Sequence, residues 1–194
     1  MPRDLHHKFD PERMAHLESE ERRAVLDPAK VLPFFEIGKG WTVVDVGCGP
    51  GFFTFPLASI VGTAGQVYGV DMEQLMIRRL EERIAEKKTR NVVAVVSTEN
   101  SIPLQDASAD FVLLSTVLHE LEGSGTLSEI RRLLKANGTL GVVDWKKLDE
   151  PHGPPKAHRL SEDKAAKILR KAGFDPGRPI NVTPSHYGFR AHKV

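Results

Sequence analysis

An apolar run, Trp41 to Val46, stops abruptly at three glycines in alternate positions, Gly47, Gly49 and Gly51. A mostly apolar segment with helical spacing follows, Phe52 to Ile60. No other stretch constrains the fold as tightly. It reads as a buried strand, a tight turn and a helix start, the unit with which α/β proteins hold a nucleotide-like ligand. Glycine suits such a turn because it reaches positive φ without a Cβ clash and admits a ligand close to the backbone. A glycine turn alone is equally well a plain tight connection. A second apolar run, Gln66 to Val70, ends in Asp71, twenty residues after Gly51. An acidic side chain at that spacing can accept both hydroxyl hydrogens of a ribose.

The remaining pattern alternates strands and helices. Asp10-Pro11 reads as an N-cap and first helical residue opening a helix to about Val25, and Asp27-Pro28 repeats the signal. After strands at 41–46 and 66–70, a helix is expected from about Glu73 to Lys88, with Met76, Ile77, Leu80 and Ile84 on one face. Asn91 to Val96 is almost wholly apolar, as for a parallel strand covered on both sides. Phe111 to Leu114 is the fourth strand. Thr126-Leu127-Ser128-Glu129 fits a capping box, and Asn137-Gly138 a helix stop. Thr139 to Val143 is the fifth strand, and Ser161 caps a last helix running through Ala172 to Gly173. Weaker strands at about 179–183 and 186–192 would add an antiparallel hairpin at one edge of a parallel sheet with right-handed crossovers.

The chain's 194 residues suit one domain, and 40% hydrophobic with 27% charged residues is ordinary globular composition. With a formal charge of +1, the basic pairs Arg22-Arg23, Arg78-Arg79 and Arg131-Arg132 lie in helical segments near Glu and read as solvated faces, not a nucleic-acid footprint. Cys48 is the only cysteine, which excludes an intrachain disulfide and a multi-cysteine zinc site. His152, His158 and His186 show no metal-ligand spacing, so no metal is expected. The start, Met1 to His7, lacks the apolar core of a signal peptide, and no run approaches the roughly 18 apolar residues that cross a bilayer. A cytoplasmic protein without nucleic-acid or membrane partners is the expectation.

The G-x-G-x-G turn with Asp71 resembles motif I of class I S-adenosylmethionine (SAM) dependent methyltransferases. Three further stretches are similar to the small-molecule branch of that family (type 11, ubiquinone/menaquinone-biosynthesis-like): Ser97 to Leu104, Asp110 to Leu121, and Glu129 to Leu140. The likeness runs from about residue 30 to the C-terminus. It implies a Rossmann-like, doubly wound α/β fold with a mostly parallel seven-stranded sheet and an antiparallel C-terminal edge strand. SAM is then the cofactor and a small molecule the acceptor. The implied cofactor-binding set is Asp45, Gly47, Cys48, Gly49 and Gly51 around the turn, Asp71 and Met72, Thr98 and Glu99, and Ser115 and Thr116. His119 and Asp144 are the catalytic candidates, against the plainer readings of a structural histidine and a helix cap. The family usually has Asp where Ser97 stands, and Ser-Thr-Val-Leu-His replaces the Pro-Pro-aromatic motif of enzymes that methylate base nitrogens. Residues 1–30 would form a helical lid or preface, with His6, His7 and Phe9 nearest the ligand in the lid form. The alternatives are an NAD(P)-dependent oxidoreductase, which would hold ribose the same way but normally carries G-x-G-x-x-G, and a non-catalytic SAM-binding protein.

Overall fold

A computed structural model describes residues 19–194. The expected helix start at Asp10-Pro11, and His6, His7 and Phe9 of the expected lid, lie outside the described residues. The helix that reaches Val25 is α1, Glu20–Val25, and it has its own start: Ser19 is its extended N-cap, with Oγ accepting from Arg22 N at 3.1 Å. A single helix from residue 10 to 25 is therefore not formed. Asp27 caps α2 (Pro28–Val31) as expected, accepting from Ala29 N at 3.0 Å, and a 3-10 turn at Leu32–Phe35 continues it.

The sheet strands are β1 (Thr42–Val46), β2 (Gln66–Asp71), β3 (Val92–Val96), β4 (Ala109–Ser115), β5 (Leu134–Trp145), β6 (Phe174–Asp175), β7 (Ile180–Asn181) and β8 (His186–Lys193). Their order is β3-β2-β1-β4-β5-β8-β6, with β7 also paired to β8. Strands β1 to β5 are parallel, and β8 runs antiparallel against β5 from Thr139↔His192 to Trp145↔His186. The two-residue strands β6 and β7 make the sheet eight-stranded, where seven were expected. The intervening helices are α3 (Thr54–Val61), α4 (Gln74–Lys87), α5 (Gly125–Leu133) and α6 (Glu162–Lys171). Alternate residues of β1 face opposite layers. Val43 packs with Phe35 of the 3-10 turn and Leu57 of α3, while Val44 packs with the α5 and α6 side, Ile130 and Leu169.

Three expectations about β3 and α5 fail, all for tertiary reasons. Strand β3 is apolar but not covered on both sides: it is the sheet edge, and Val93 and Val96 are 42% and 41% exposed. Helix α5 makes no capping box, since its N-cap is Ser124 without a side-chain bond. Thr126 and Glu129 instead tie the helix to the loop after β3: Thr126 Oγ1 donates to Glu99 O at 2.8 Å, and Glu129 accepts from Ile102 N at 2.8 Å. Nor does Asn137-Gly138 stop that helix. The helix ends at Leu133, Leu134 already pairs with Ala109, and residues 135–138 are extra chain before Thr139 pairs with Phe111. Ser161 does cap α6, accepting from Lys164 N at 3.3 Å.

Candidate functional site

The carboxyl ends of β1, β2, β4 and β5 bring Asp45, Asp71, Ser115 and Asp144 to one edge of the sheet. The glycine turn is fixed there by Gly47 N and Cys48 N, which donate to Val70 O at 2.8 and 3.1 Å. Gly47 and Gly51 have φ of +71° and +95°, which a side chain would strain. Their missing Cβ atoms matter for the chain's own packing. A Cβ on Gly47 would lie 2.4 Å from Val117 Cγ2, and one on Gly51 2.7 Å from Leu80 Cδ1. These two glycines are required by neighbouring side chains as well as by turn geometry, a demand invisible in the local pattern.

A cavity of about 150 Å³ opens at this edge. Asp45, Gly47, Cys48, Gly49, Asp71, Met72, Thr98, Glu99, Ser115 and Thr116 all line it, whereas Gly51 faces a separate groove beside Phe55 and Arg83. Asp71 supports the turn directly: Oδ2 accepts from Gly49 N and Oδ1 from Glu73 N, each at 2.9 Å. Each oxygen keeps a second lone pair for a ligand hydroxyl. Burial raises the Asp71 pKa, partly offset by those backbone bonds. Asp45 is 2% exposed and accepts from Thr54 Oγ1 at 2.7 Å. Burial pushes its carboxyl up to about 7, against the hydroxyl bond that lowers it. Burial also holds the Cys48 thiol well above its ordinary value, which suits a packing role. Thr116 adopts φ +56°, rare for a β-branched residue, and its N–H donates to Val143 O at 2.7 Å.

The residues present fit an adenosyl group. Ser115 Oγ is buried at the cavity without a partner among the described residues. Met72 stands 42% exposed beside Asp71, with Ile102 and Thr98 on the same cavity, offering an apolar surface to a flat base.

The two catalytic candidates do meet, but neither lines the cavity. Asp144 is fully buried and accepts from His119 Nδ1 at 2.7 Å, His119 N at 3.0 Å and Trp145 N at 2.8 Å. Thus Asp144 holds the short 3-10 turn Leu118–Glu120 and the imidazole together. Burial lowers the His119 pKa, but Asp144 and Glu120 outweigh it, so the net shift is upward. His119 Nε2 lies 3.7 Å from Glu120 Oε1, and Glu120 does line the cavity. Burial pushes the Glu120 carboxyl up to about 7.

Glu120 and Arg22 are the residues that sequence reasoning missed. Glu120 had the signal of adjacency to His119 within one motif. Arg22 belongs to a basic pair expected on a solvated face, yet it lines the cavity, half-buried, 4.5 Å above the Phe52 ring. Burial lowers its pKa to about 10. Of the three histidines without metal spacing, His186 is fully buried against Trp145, and no metal-ligand cluster occurs among the described residues.

A glycine turn, a cavity-lining carboxylate and an orphan hydroxyl at the ends of a parallel sheet agree with a class I methyltransferase domain, with SAM as its cofactor. Residues 37–173 match the family model described as "Methyltransferase domain", and the chain belongs to that family. The fold is similar to the crystal structure of a SAM-dependent methyltransferase from Aquifex aeolicus, with TM-score 0.92 and 37% identity over 96% of this chain and 100% of that one. Among curated proteins, the chain is 32% identical over 109 residues to a demethylmenaquinone methyltransferase of a Geobacillus species, 56% of this chain and 47% of that protein. It is 35% identical over 115 residues to an uncharacterized 37.1 kDa transposon protein of Streptomyces fradiae, 56% of this chain and 32% of that one. The chain thus spans between a third and a half of the length of these curated relatives. The family match sets aside the oxidoreductase alternative. No helix of the described residues is long and apolar enough to cross a membrane.

Proposed function

We propose that this protein transfers a methyl group from SAM to a small acceptor of phenol or quinol type, and that residues 1–194 act as one domain. The carrying observation is the continuity of one cavity. Its Asp71 side suits a ribose, and the same cavity carries apolar walls, Phe52, Phe53, Val117 and Leu121, together with the carboxyl of Glu120. That combination suits a flat apolar molecule bearing an ionisable hydroxyl. The demethylmenaquinone methyltransferase relatives support the same acceptor class. SAM supplies an electrophilic methyl carbon on a sulfonium. The chain's residues bind and align. Asp71 accepts from ribose hydroxyls, Met72 and Ile102 cover the base, and Ser115 Oγ donates or accepts at the cavity wall. The aromatic pair Phe52–Phe53, with ring centroids 5.3 Å apart, excludes water beside the transfer path.

The test is a transfer assay with methyl-tritiated SAM against 1,4-naphthohydroquinone, catechol and indole, with S-adenosylhomocysteine (SAH) formation measured in parallel. Labelled product from a hydroxylated acceptor supports the reading. Tight SAH binding with no transfer to any hydroxylated acceptor would refute the acceptor class and leave the non-catalytic alternative.

A further inference from the structure

Resting on that reading, we infer that Glu120 is the group that takes the acceptor's proton, while His119 and Asp144 are positioning residues that share and hold that proton from behind. The geometry runs in one line from core to cavity. Asp144, fully buried on β5, receives Nδ1–H of His119 at 2.7 Å. That bond leaves Nε2 as the outward nitrogen, and Nε2 stands 3.7 Å from Glu120 Oε1. The His119 side chain is only 5% exposed and the Glu120 side chain 30%. Of the three, Glu120 alone reaches the cavity. A substrate hydroxyl can therefore meet the carboxylate but not the imidazole.

The nearby carboxylates favour a proton kept on this pair, against the positive charges of His119 and Arg159. Glu120 feels His119 from its own turn, Asp144 from β5 and Asp71 from the end of β2; His119 additionally feels Arg159, which opposes its protonation. Burial raises Glu120 to about 7, and His119 is also raised, so around neutrality the pair can hold one proton or two. Such a pair titrates as a unit. In the transfer step the acceptor O–H breaks and its proton passes to the Glu120 carboxylate. The oxygen's electron pair forms the new bond to the methyl carbon, and the carbon–sulfur bond breaks with its electrons left on sulfur. Nε2, 3.7 Å from the carboxyl, is the next group toward which the proton gained can move, and Asp144 holds the imidazole inward with Nε2 toward Glu120 and stabilises its charged form. Thr116, held in its left-handed conformation by Val143 O, sets the chain direction that delivers this turn to the cavity edge.

Two measurements test this. Histidine side-chain NMR titrates His119 in the SAH complex of the full chain, with buried His186 as an internal control of folding. Glu120→Gln should lower the His119 midpoint by at least half a pH unit and leave the His186 resonance in place. An unchanged midpoint overturns the shared proton. With 1,4-naphthohydroquinone as probe, Glu120→Gln should reduce turnover roughly 10²-fold or more. His119→Gln should lose less and move the acidic limb of the pH profile, and Glu120→Asp should recover part of the loss. Turnover of Glu120→Gln within threefold of wild type overturns the base assignment. If wild type does not methylate the probe, the acceptor class falls, and the NMR result alone decides for or against the proton pair.

Discussion

Replacing Asp71 should damage two things at once, and their ratio tests the account of the site. Asp71 accepts from Gly49 N and Glu73 N at 2.9 Å each, and it lines the cavity. In Asp71→Ala both backbone donors lose a charged acceptor. At about 1–2 kcal/mol per bond to a carboxylate in a mostly buried site, the ligand-free protein should lose about 2–4 kcal/mol. For a chain of this size that lowers Tm by roughly 5–15 °C. Losing the ribose contacts should cost a further 1.5–3 kcal/mol or so of SAH affinity, a roughly 10- to 150-fold rise in Kd. Asp71→Asn separates the two effects. Its amide oxygen can serve one of the two backbone donors, while its NH2 group meets the other. Its Tm should therefore fall between wild type and Ala, with binding still weakened. Scanning fluorimetry and calorimetry with SAH measure both. A Tm unchanged in Asp71→Ala would refute the structural half of the argument; an unchanged Kd would refute the ribose half.

The glycine turn predicts that Gly47→Ala loses about 1–2 kcal/mol from its positive φ alone, and more from contact with Val117. Val117→Ala in the same chain should restore the contact part only, as read by urea unfolding. For pH, the folded state holds protons on Asp45 and Glu120 up to about 7 and on His119 above its ordinary value, so their contribution is lost as pH rises through those values. His186 has the opposite sign: lowered to about 4 by burial, it removes stability as pH falls from its unfolded value toward 4. The two effects oppose below pH 6.5 or so, leaving a net loss from there to pH 8 of roughly 1–2 kcal/mol, flattened in Asp45→Asn. A ligand-free Tm that rises across that window would contradict the burial of these groups. We also propose that α1 acts as a lid, supported by Arg22 at the cavity over Phe52. Arg22→Ala should then speed SAH dissociation at least threefold in stopped-flow with little change in Tm, and equal dissociation rates would return α1 to a docked helix.

Much of the fold was legible because the signals were local. The glycine turn, Asp71 at the end of β2, and the caps Asp27 and Ser161 are decided by residues within a few positions of each other, and the structure shows each. Thr126 and Glu129 had the right local spacing for a capping box, yet Glu99 O and Ile102 N, more than twenty residues earlier, took those side chains. Asn137-Gly138 has the composition of a helix stop, but the pairing of Leu134 with Ala109 ended the helix first. Apolar composition made β3 read as a central strand; strand order placed it at the edge, which no residue within it can specify.

The candidate site divides the same way. The sequence by itself determined the glycine turn and the carboxylate that closes β2, because their positions need only a strand, a turn and a fixed spacing. Only the tertiary structure decided which of two adjacent residues, His119 or Glu120, faces the cavity. Asp144, twenty-five residues later on β5, turns the imidazole inward and leaves the carboxylate outside. It likewise turned Arg22 from a solvated face to the cavity, by laying Phe52 beneath it. Spacing along a chain sets which backbone conformations are available. The direction of a side chain, and the burial that moves its pKa, depend on partners that only folding brings near.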